Sequence, residues 1–204
     1  MPKKIILVRH GVTEYNVSKR MQGWIDVPLL PEGLSQAKKV ALRLQNEQID
    51  IIYSSDQKRA HATAIYIGKQ HNLIPKKRKA LRERRMGVFE GWHWEDATDP
   101  RQSLWEQRQL AHEQGDYSWK SEGEESMLDH FSRVKKYITK LETLHDNHNI
   151  VIVSHGATLN RILEAYGLRR MQDEYIGFGN TSVTIITKTQ NGYELELLND
   201  TAHL

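Results

Sequence analysis

Ile5-Ile6-Leu7-Val8-Arg9-His10-Gly11 joins four apolar residues, three of them β-branched, to two basic side chains and a glycine. Such a run predicts a buried strand that stops where the basic residues begin. In an open α/β sheet, ligands bind in the crevice beyond the carboxyl ends of the parallel strands, and Arg9 and His10 fall there. Ile150-Val151-Ile152-Val153 repeats the pattern and leads into Ser154-His155-Gly156. Two strand-then-His-Gly units bring two imidazoles to one end of one sheet, where the glycines let backbone approach a ligand closely.

Between these units helices and strands alternate. Leu34, Ala37, Val40, Ala41 and Leu44 recur at three and four residues, which predicts a helix over about 33–48, and residues 49–54 follow as a strand. A helix between strands is a crossover, so the sheet is expected to be mostly parallel. Ser54-Ser55-Asp56 offers capping residues before a helix starting at Lys58. Lys76-Lys77-Arg78-Lys79, beside Pro75, reads as a solvated loop rather than a binding patch. Met127, Phe131, Val134, Ile138, Leu141 and Leu144 mark the core face of a long helix, and Leu159, Ile162, Leu163 and Tyr166 the buried side of another over 156–167. Strands at 182–187 and 193–198 flank Asn191-Gly192, a hairpin signal.

Residues 92–120 break the alternation. Four of the five tryptophans crowd there, around a helix expected between Pro100 and Gly115. The segment reads as a lid insertion over the site or as a helical hairpin sealed to the sheet by tryptophan. The expected fold is α/β: a three-layer, doubly wound, mostly parallel sheet with helices on both faces and a helical lid insertion, residues 1–204 forming one domain.

A chain of 204 residues and 23.8 kDa buries one sizeable core. No apolar run approaches the ~20 residues of a membrane span, and the start lacks the hydrophobic region of a secretory signal, so a cytoplasmic protein with no membrane partner is expected. The absence of cysteine closes thiol chemistry and disulfides. Twenty-nine basic against twenty-six acidic residues give a net charge of +3, too weak a bias for a nucleic-acid partner without a basic stripe. Ten histidines raise the question of a metal, but no His-x-x-x-His pair with a nearby carboxylate occurs. Trp92-His93-Trp94-Glu95-Asp96 is the nearest alternative, and no metal is expected. Nothing in the sequence sets an oligomeric state.

Arg9-His10-Gly11, with Thr13 and Asn16 after it, resembles the signature of the histidine phosphatase superfamily, in the branch that also holds cofactor-dependent phosphoglycerate mutases. Further matches follow in the family's order: Gln22-Gly23-x-x-Asp26-x-Pro28-Leu29, then Ser55-x-x-x-Arg59-Ala60-x-x-Thr63-Ala64, then Leu81-x-Glu83-x-x-x-Gly87-x-x-Glu90-Gly91, then His155-Gly156. The resemblance implies a metal-free mechanism without a cofactor on a small phosphate ester. His10 would be the nucleophile, and Arg9 and Arg59 would grip phosphate. Asn16, Gln22, Gly23 and Gly156 would be further phosphate or substrate contacts. His155 would hold the transferring oxygens, and Glu83 would protonate the leaving oxygen and then activate water. A unit charge pair at 4 Å is worth roughly 4 kcal/mol at an effective dielectric of 20, so two arginines plus an imidazolium would offset most of a dianion.

Arg82, Arg84 and Arg85 surround Glu83 and favour its carboxylate form, so its role as donor rests on the resemblance and on the arrival of a dianionic substrate. Glu90, between Phe89 and Gly91, suits turn packing. Val12 stands where many members carry Glu or Gln, which predicts a more apolar pocket rim, and Gln57 replaces a usual apolar residue. Arg84-Arg85-Met86-Gly87 stands where mutases usually carry Arg-His-Tyr-Gly. The expected activity is therefore a phosphomonoesterase working through a phosphohistidine on His10. The alternatives are a phosphoglycerate mutase and a catalytically weak phospho-ligand binding protein.

Overall fold

The computed structural model describes all 204 residues, and the opening apolar run lies at the middle of its sheet. Strands β1 (Lys4–Arg9), β2 (Ile51–Ser55), β3 (Lys76–Arg78), β4 (Asn149–Ser154), β5 (Val183–Thr189) and β6 (Gly192–Asp200) pair in the order β3-β2-β4-β1-β5-β6. The first four in that order are parallel, and the β5–β6 hairpin adds antiparallel to the free side of β1. Helices α1 (Glu14–Val17), α2 (Pro31–Arg43), α3 (Lys58–His71), α4 (Arg101–Glu113), α5 (Met127–Leu144) and α6 (Gly156–Ala165) complete the chain.

The continuous apolar runs conceal a period of two, because both faces of the sheet are covered. Ile5, Leu7, Ile150 and Ile152 enter one core with Val134, Ile138 and Leu141 of α5 and Leu159, Ile162 and Leu163 of α6. Ile6, Val8, Val151 and Val153 enter a second core with Val40 and Ala41 of α2 and Ala60, Ala64 and Ile67 of α3. Each large aliphatic side chain so buried contributes about 1.5–3 kcal/mol. The result is the expected three-layer α/β architecture.

Four local expectations change. Helix α2 ends at Arg43, with Leu44 buried as its C-cap and turns beyond. Lys76–Arg78 is the edge strand β3 rather than a loop; Lys76 and Arg78 place their cations 6.0 and 5.0 Å from the centre of the Tyr53 ring. A three-residue strand is too short to show a period, and its charges suit a sheet edge. On α5 the buried face runs His130, Val134, Ile138, Leu141, and Leu144 is exposed. Helix α3 is capped from outside its own strand-helix junction: Asp26 Oδ1 accepts the Lys58 N–H at 2.7 Å, while Asp56 takes the fork of Arg82 at 2.7 and 2.8 Å.

The tryptophan-rich insertion is docked. Met86, Phe89 and Trp92 form a small core of their own, and Leu104 and Trp105 of α4 pack on it. Helix α4 is thus tied to the segment that directly follows Glu83. No helix is long and apolar enough to cross a membrane.

Candidate active site

Arg9 sits opposite Ser154 in the β1–β4 ladder, so His10 and His155 leave the sheet side by side, their ring centres 5.1 Å apart. Both are buried, at 3% and 0% exposure. His10 Nδ1 lies 2.7 Å from the Gly11 carbonyl oxygen. A carbonyl only accepts, so Nδ1 carries the proton and Nε2 keeps a free lone pair. Burial first, then Arg59 and Arg9, push the His10 pKa well below the ordinary histidine value, and the ring is neutral at neutral pH. The loop behind it is fixed by contact: a Cβ on Gly11 would lie 2.5 Å from the Gly33 carbonyl oxygen. Asn180 Nδ2 donates to the His10 carbonyl at 3.0 Å.

His155 is also held neutral, by burial and then by Arg59, His10 and Arg9, and neither of its ring nitrogens has a protein partner. The resting form of His155 is therefore not an imidazolium. Its positive surroundings and burial oppose the charge until an anion arrives.

Arg59 projects from the first turn of α3 and is fully buried. Its Nη1 donates to the Ile25 carbonyl at 2.8 Å and its Nη2 to the Gly23 carbonyl at 2.9 Å, while Nε has no partner. Burial lowers its pKa to about 10, so it stays cationic. Gly23 has φ +49°, and a Cβ there would lie 2.4 Å from Glu90 Oε1. Glu90 in turn accepts from the backbone of Trp24 at 2.8 Å and of Met86 at 3.1 Å, a strut between two loops. Gly23 therefore turns its carbonyl to Arg59. Gln22 and Asn16 sit in the adjoining network, their side-chain oxygens 3.1 and 3.0 Å from the Thr13 hydroxyl. Arg9 donates through Nη1 to the Phe178 carbonyl and leaves Nε unpartnered. Val12 is buried, its N–H bonded to Gln36, rather than lining a rim.

Glu83 comes to the same place from the opposite side. Its carboxylate accepts from the N–H groups of Arg84 at 2.9 Å, Ala157 at 3.1 Å and Thr158 at 3.2 Å, at the amino end of α6 just beyond Gly156. The helix dipole favours negative charge there. Arg9, His10, Arg59, Glu83, His155 and Gly156 thus converge at one end of the sheet, with Asn16, Gln22 and Gly23 in the loop beside them.

Several residues that build the site carried no such role in the sequence. Gln57 bridges Glu83 and the Arg59 anchor, taking the Glu83 N–H at 3.1 Å and donating to the Gly23 carbonyl at 3.0 Å. Its departure from the family pattern was the only signal. Arg133 donates to the Ala80, Arg82 and Glu83 carbonyls and forks onto Glu125. Tyr175 had no signal at all. The residue is 58% exposed, yet its hydroxyl turns inward to 3.0 Å from where a Cβ on Gly156 would stand. Burial of that hydroxyl, then Glu83, pushes its pKa up to about 12. Asn160 of α6 pins the neighbouring backbone from both sides, donating to the Ile176 carbonyl at 3.0 Å and accepting its N–H at 3.2 Å. This strap, the stretch between α6 and β5, brings the Tyr175 hydroxyl to the site. A 590 Å³ surface cavity lined by Lys3, Asp50, His71 and Asn149 lies at the opposite, amino-terminal end of the strands. The side chains of 95–96 are engaged elsewhere: Glu95 pairs with Lys19 and Asp96 with Thr98.

Comparison with known proteins gives the family of the chain. The profile of the histidine phosphatase superfamily (branch 1) matches residues 5–201. Phosphoserine phosphatase 1 of Hydrogenobacter thermophilus is 31% identical over 202 residues, covering 98% of this chain and 94% of that protein. A broad-specificity phosphatase of Saccharomyces cerevisiae is 31% identical over 211 residues, covering 98% and 87%. Among solved structures, the phosphoserine phosphatase of Entamoeba histolytica in complex with 3-phosphoglyceric acid superposes with a TM-score of 0.84 at 29% identity, covering 100% of this chain and 99% of the other. With the paired His-Gly strand ends, the buried arginines and a match over nearly its full length, the chain belongs to the histidine phosphatase superfamily.

Proposed function

We propose that this phosphate monoester hydrolase works through a phosphohistidine on His10, with Glu83 as proton donor and small phosphorylated metabolites as substrates. The observation that carries the reading is the His10 tautomer: Nδ1–H is committed to the Gly11 carbonyl, so the bare Nε2 faces the reaction. In the first half-reaction Nε2 forms a bond to phosphorus as the bond to the ester oxygen breaks, and that oxygen takes a proton from Glu83. In the second, water gives a proton to the Glu83 carboxylate and attacks phosphorus, the N–P bond breaks, and inorganic phosphate leaves. Arg9 and Arg59 keep unpartnered Nε–H groups for the phosphate oxygens, and His155, neutral at rest, becomes a donor as charge spreads over them. Asn16, Gln22, Gly23 and Gly156 shape the phosphate cradle. The cytoplasm, where such esters are made and consumed, is the compartment this chemistry suits.

The test is rapid quenching, without acid, of the protein mixed with a labelled phosphomonoester. A labelled phosphoprotein is expected in the wild type and absent in His10→Ala; equal labelling of both would overturn the assignment. The same substrates, with and without 2,3-bisphosphoglycerate, separate the alternatives. Phosphate release without it is expected, and interconversion of phosphoglycerates would instead select a mutase.

A further inference from the structure

One side chain is aimed into the site with no partner inside the protein. Tyr175 is 58% exposed, in the strap between α6 and β5, yet its hydroxyl reaches in beside Gly156. The strap is braced on both sides of it. Arg169 Nη2 donates to the Asp173 and Glu174 carbonyls at 2.8 and 3.0 Å, just before the tyrosine, and Asn160 holds both backbone polar groups of Ile176, just after it. Asn160 is fully buried on α6, and Arg169 stands 3.8 Å from Glu164 of the same helix. An exposed ring gains little from packing, so what these braces fix is the hydroxyl.

That hydroxyl has no acceptor. Four charged groups act on it, Glu83, Arg9, Arg84 and Arg161, and it is hydrogen-bonded to none of them. Three are guanidiniums, which only donate. The fourth, Glu83, already receives the N–H groups of Arg84, Ala157 and Thr158 and lies 3.3 Å from the Thr158 hydroxyl. Burial keeps the Tyr175 hydroxyl protonated, so it stands in the site as a neutral donor. Its position shows which part of a substrate it meets. The point where a Cβ on Gly156 would stand is 3.0 Å from the Tyr175 hydroxyl and 4.0 Å from Arg9 Nε, which is likewise buried without a partner. Two unsatisfied donors, one charged and one neutral, thus flank the residue that follows His155, and Gly156 has no side chain to close the space between them. A tyrosine hydroxyl taken out of water normally finds a partner, and here the only acceptor left to supply is the phosphate itself.

We propose that the Tyr175 hydroxyl donates a hydrogen bond to an oxygen of the transferring phosphoryl group, beside the Nε–H of Arg9, as a further catalytic residue carried by the strap. It keeps its proton throughout and stabilises the charge spread over the phosphoryl oxygens during transfer to His10. Glu83 acts on the oxygen that leaves, and Tyr175 on the oxygens that stay with phosphorus. The inference rests on the phosphatase reading.

Tyr175→Phe tests it, because the change removes one oxygen from a largely exposed residue and keeps the ring. Its kcat/KM should fall about 10- to 100-fold, the range for a hydrogen bond to a charged group. The factor should be the same for p-nitrophenyl phosphate and glycerol 1-phosphate, which share only the phosphoryl group. Inhibition by orthovanadate, which carries no leaving group, should weaken in parallel. A ring that served packing alone would be replaced by phenylalanine without loss. Unchanged or raised kcat/KM, a loss confined to the alkyl ester, or unchanged vanadate inhibition would overturn the assignment. The affinity of inorganic phosphate for wild type and variant is measured by calorimetry alongside, and the variant should bind about tenfold more weakly. If the wild type turns over no ester at all, the phosphatase reading fails. The two phosphate affinities then decide alone whether the hydroxyl holds the anion, and equal values would overturn it.

Discussion

Glu83 is held more tightly than a general acid requires: three backbone N–H groups and the Thr158 hydroxyl at 3.3 Å reach its two oxygens. In Glu83→Gln the amide carbonyl can take the place of Oε1, but its NH₂ then faces the Ala157 N–H, and no transferable proton remains. Single-turnover phosphorylation of His10 should fall about 10²–10⁴-fold for alkyl phosphates and much less for p-nitrophenyl phosphate, whose phenolate leaves unprotonated. An equal loss for both would move the donor role to another group; Glu90, occupied as a strut, is poorly placed to take it. The residues that converge here were legible because each is fixed by a short motif at the end of a strand or the start of a helix. Gln57 and Tyr175 were not. Gln57 acts by bridging two loops that are distant in sequence, and Tyr175 is aimed by an Asn160 clamp that exists only once α6 and the strap have packed.

At the scale of elements, the strands with long apolar runs were readable, since a continuous β-branched stretch has few other uses. The edge strand β3 was hidden by its three charged residues, and the ordering of β4 between β1 and β2 cannot be read from local pattern, because it depends on which face each crossover takes. The insertion was recognised as an exception but not resolved between its two readings. Trp92, fully buried, seals it; Trp105 of α4, partly buried, packs against Phe89 and Trp92 and carries the Arg108 guanidinium 4.3 Å from its ring centre. Arg108 reaches Glu124, which also pairs with Arg84 next to Glu83. Removing the ring in Trp105→Ala should loosen that chain of contacts. The order of kcat/KM among substrates is expected to change several-fold while p-nitrophenyl phosphate is affected least. A uniform loss across all substrates in a folded variant would instead make the insertion a purely structural brace.

For the molecule as a whole, the buried histidines link stability to pH. His10, His130 and His155 are each held well below the ordinary value, by burial first and then by neighbouring arginines. Unfolded, they titrate near the usual 6.5, so below that pH the unfolded chain binds protons that the native protein refuses. Stability then falls as pH falls, by about 1.4 kcal/mol per pH unit for each of the three once below that range. Urea midpoints should begin to drop between pH 6.5 and 5; a midpoint flat to pH 5 would contradict the buried neutral state. The strand order has a consequence of another kind. Both edges of β1 are closed by β4 and β5, which begin at Asn149 and Val183. On the ribosome, β1 finds its first partner only once the strand from Asn149 has emerged and its second only once the strand from Val183 has, with Ile5–Val8 unsheltered meanwhile. Non-local pairing of this kind is slow and exposes apolar surface during synthesis. A nascent chain halted before β4 already holds Arg9, His10, Arg59 and Glu83, yet it lacks both His155 and the amino end of α6 that holds the Glu83 carboxylate. The residues that converge at the sheet edge are therefore brought together only once β4 and α6 have joined β1.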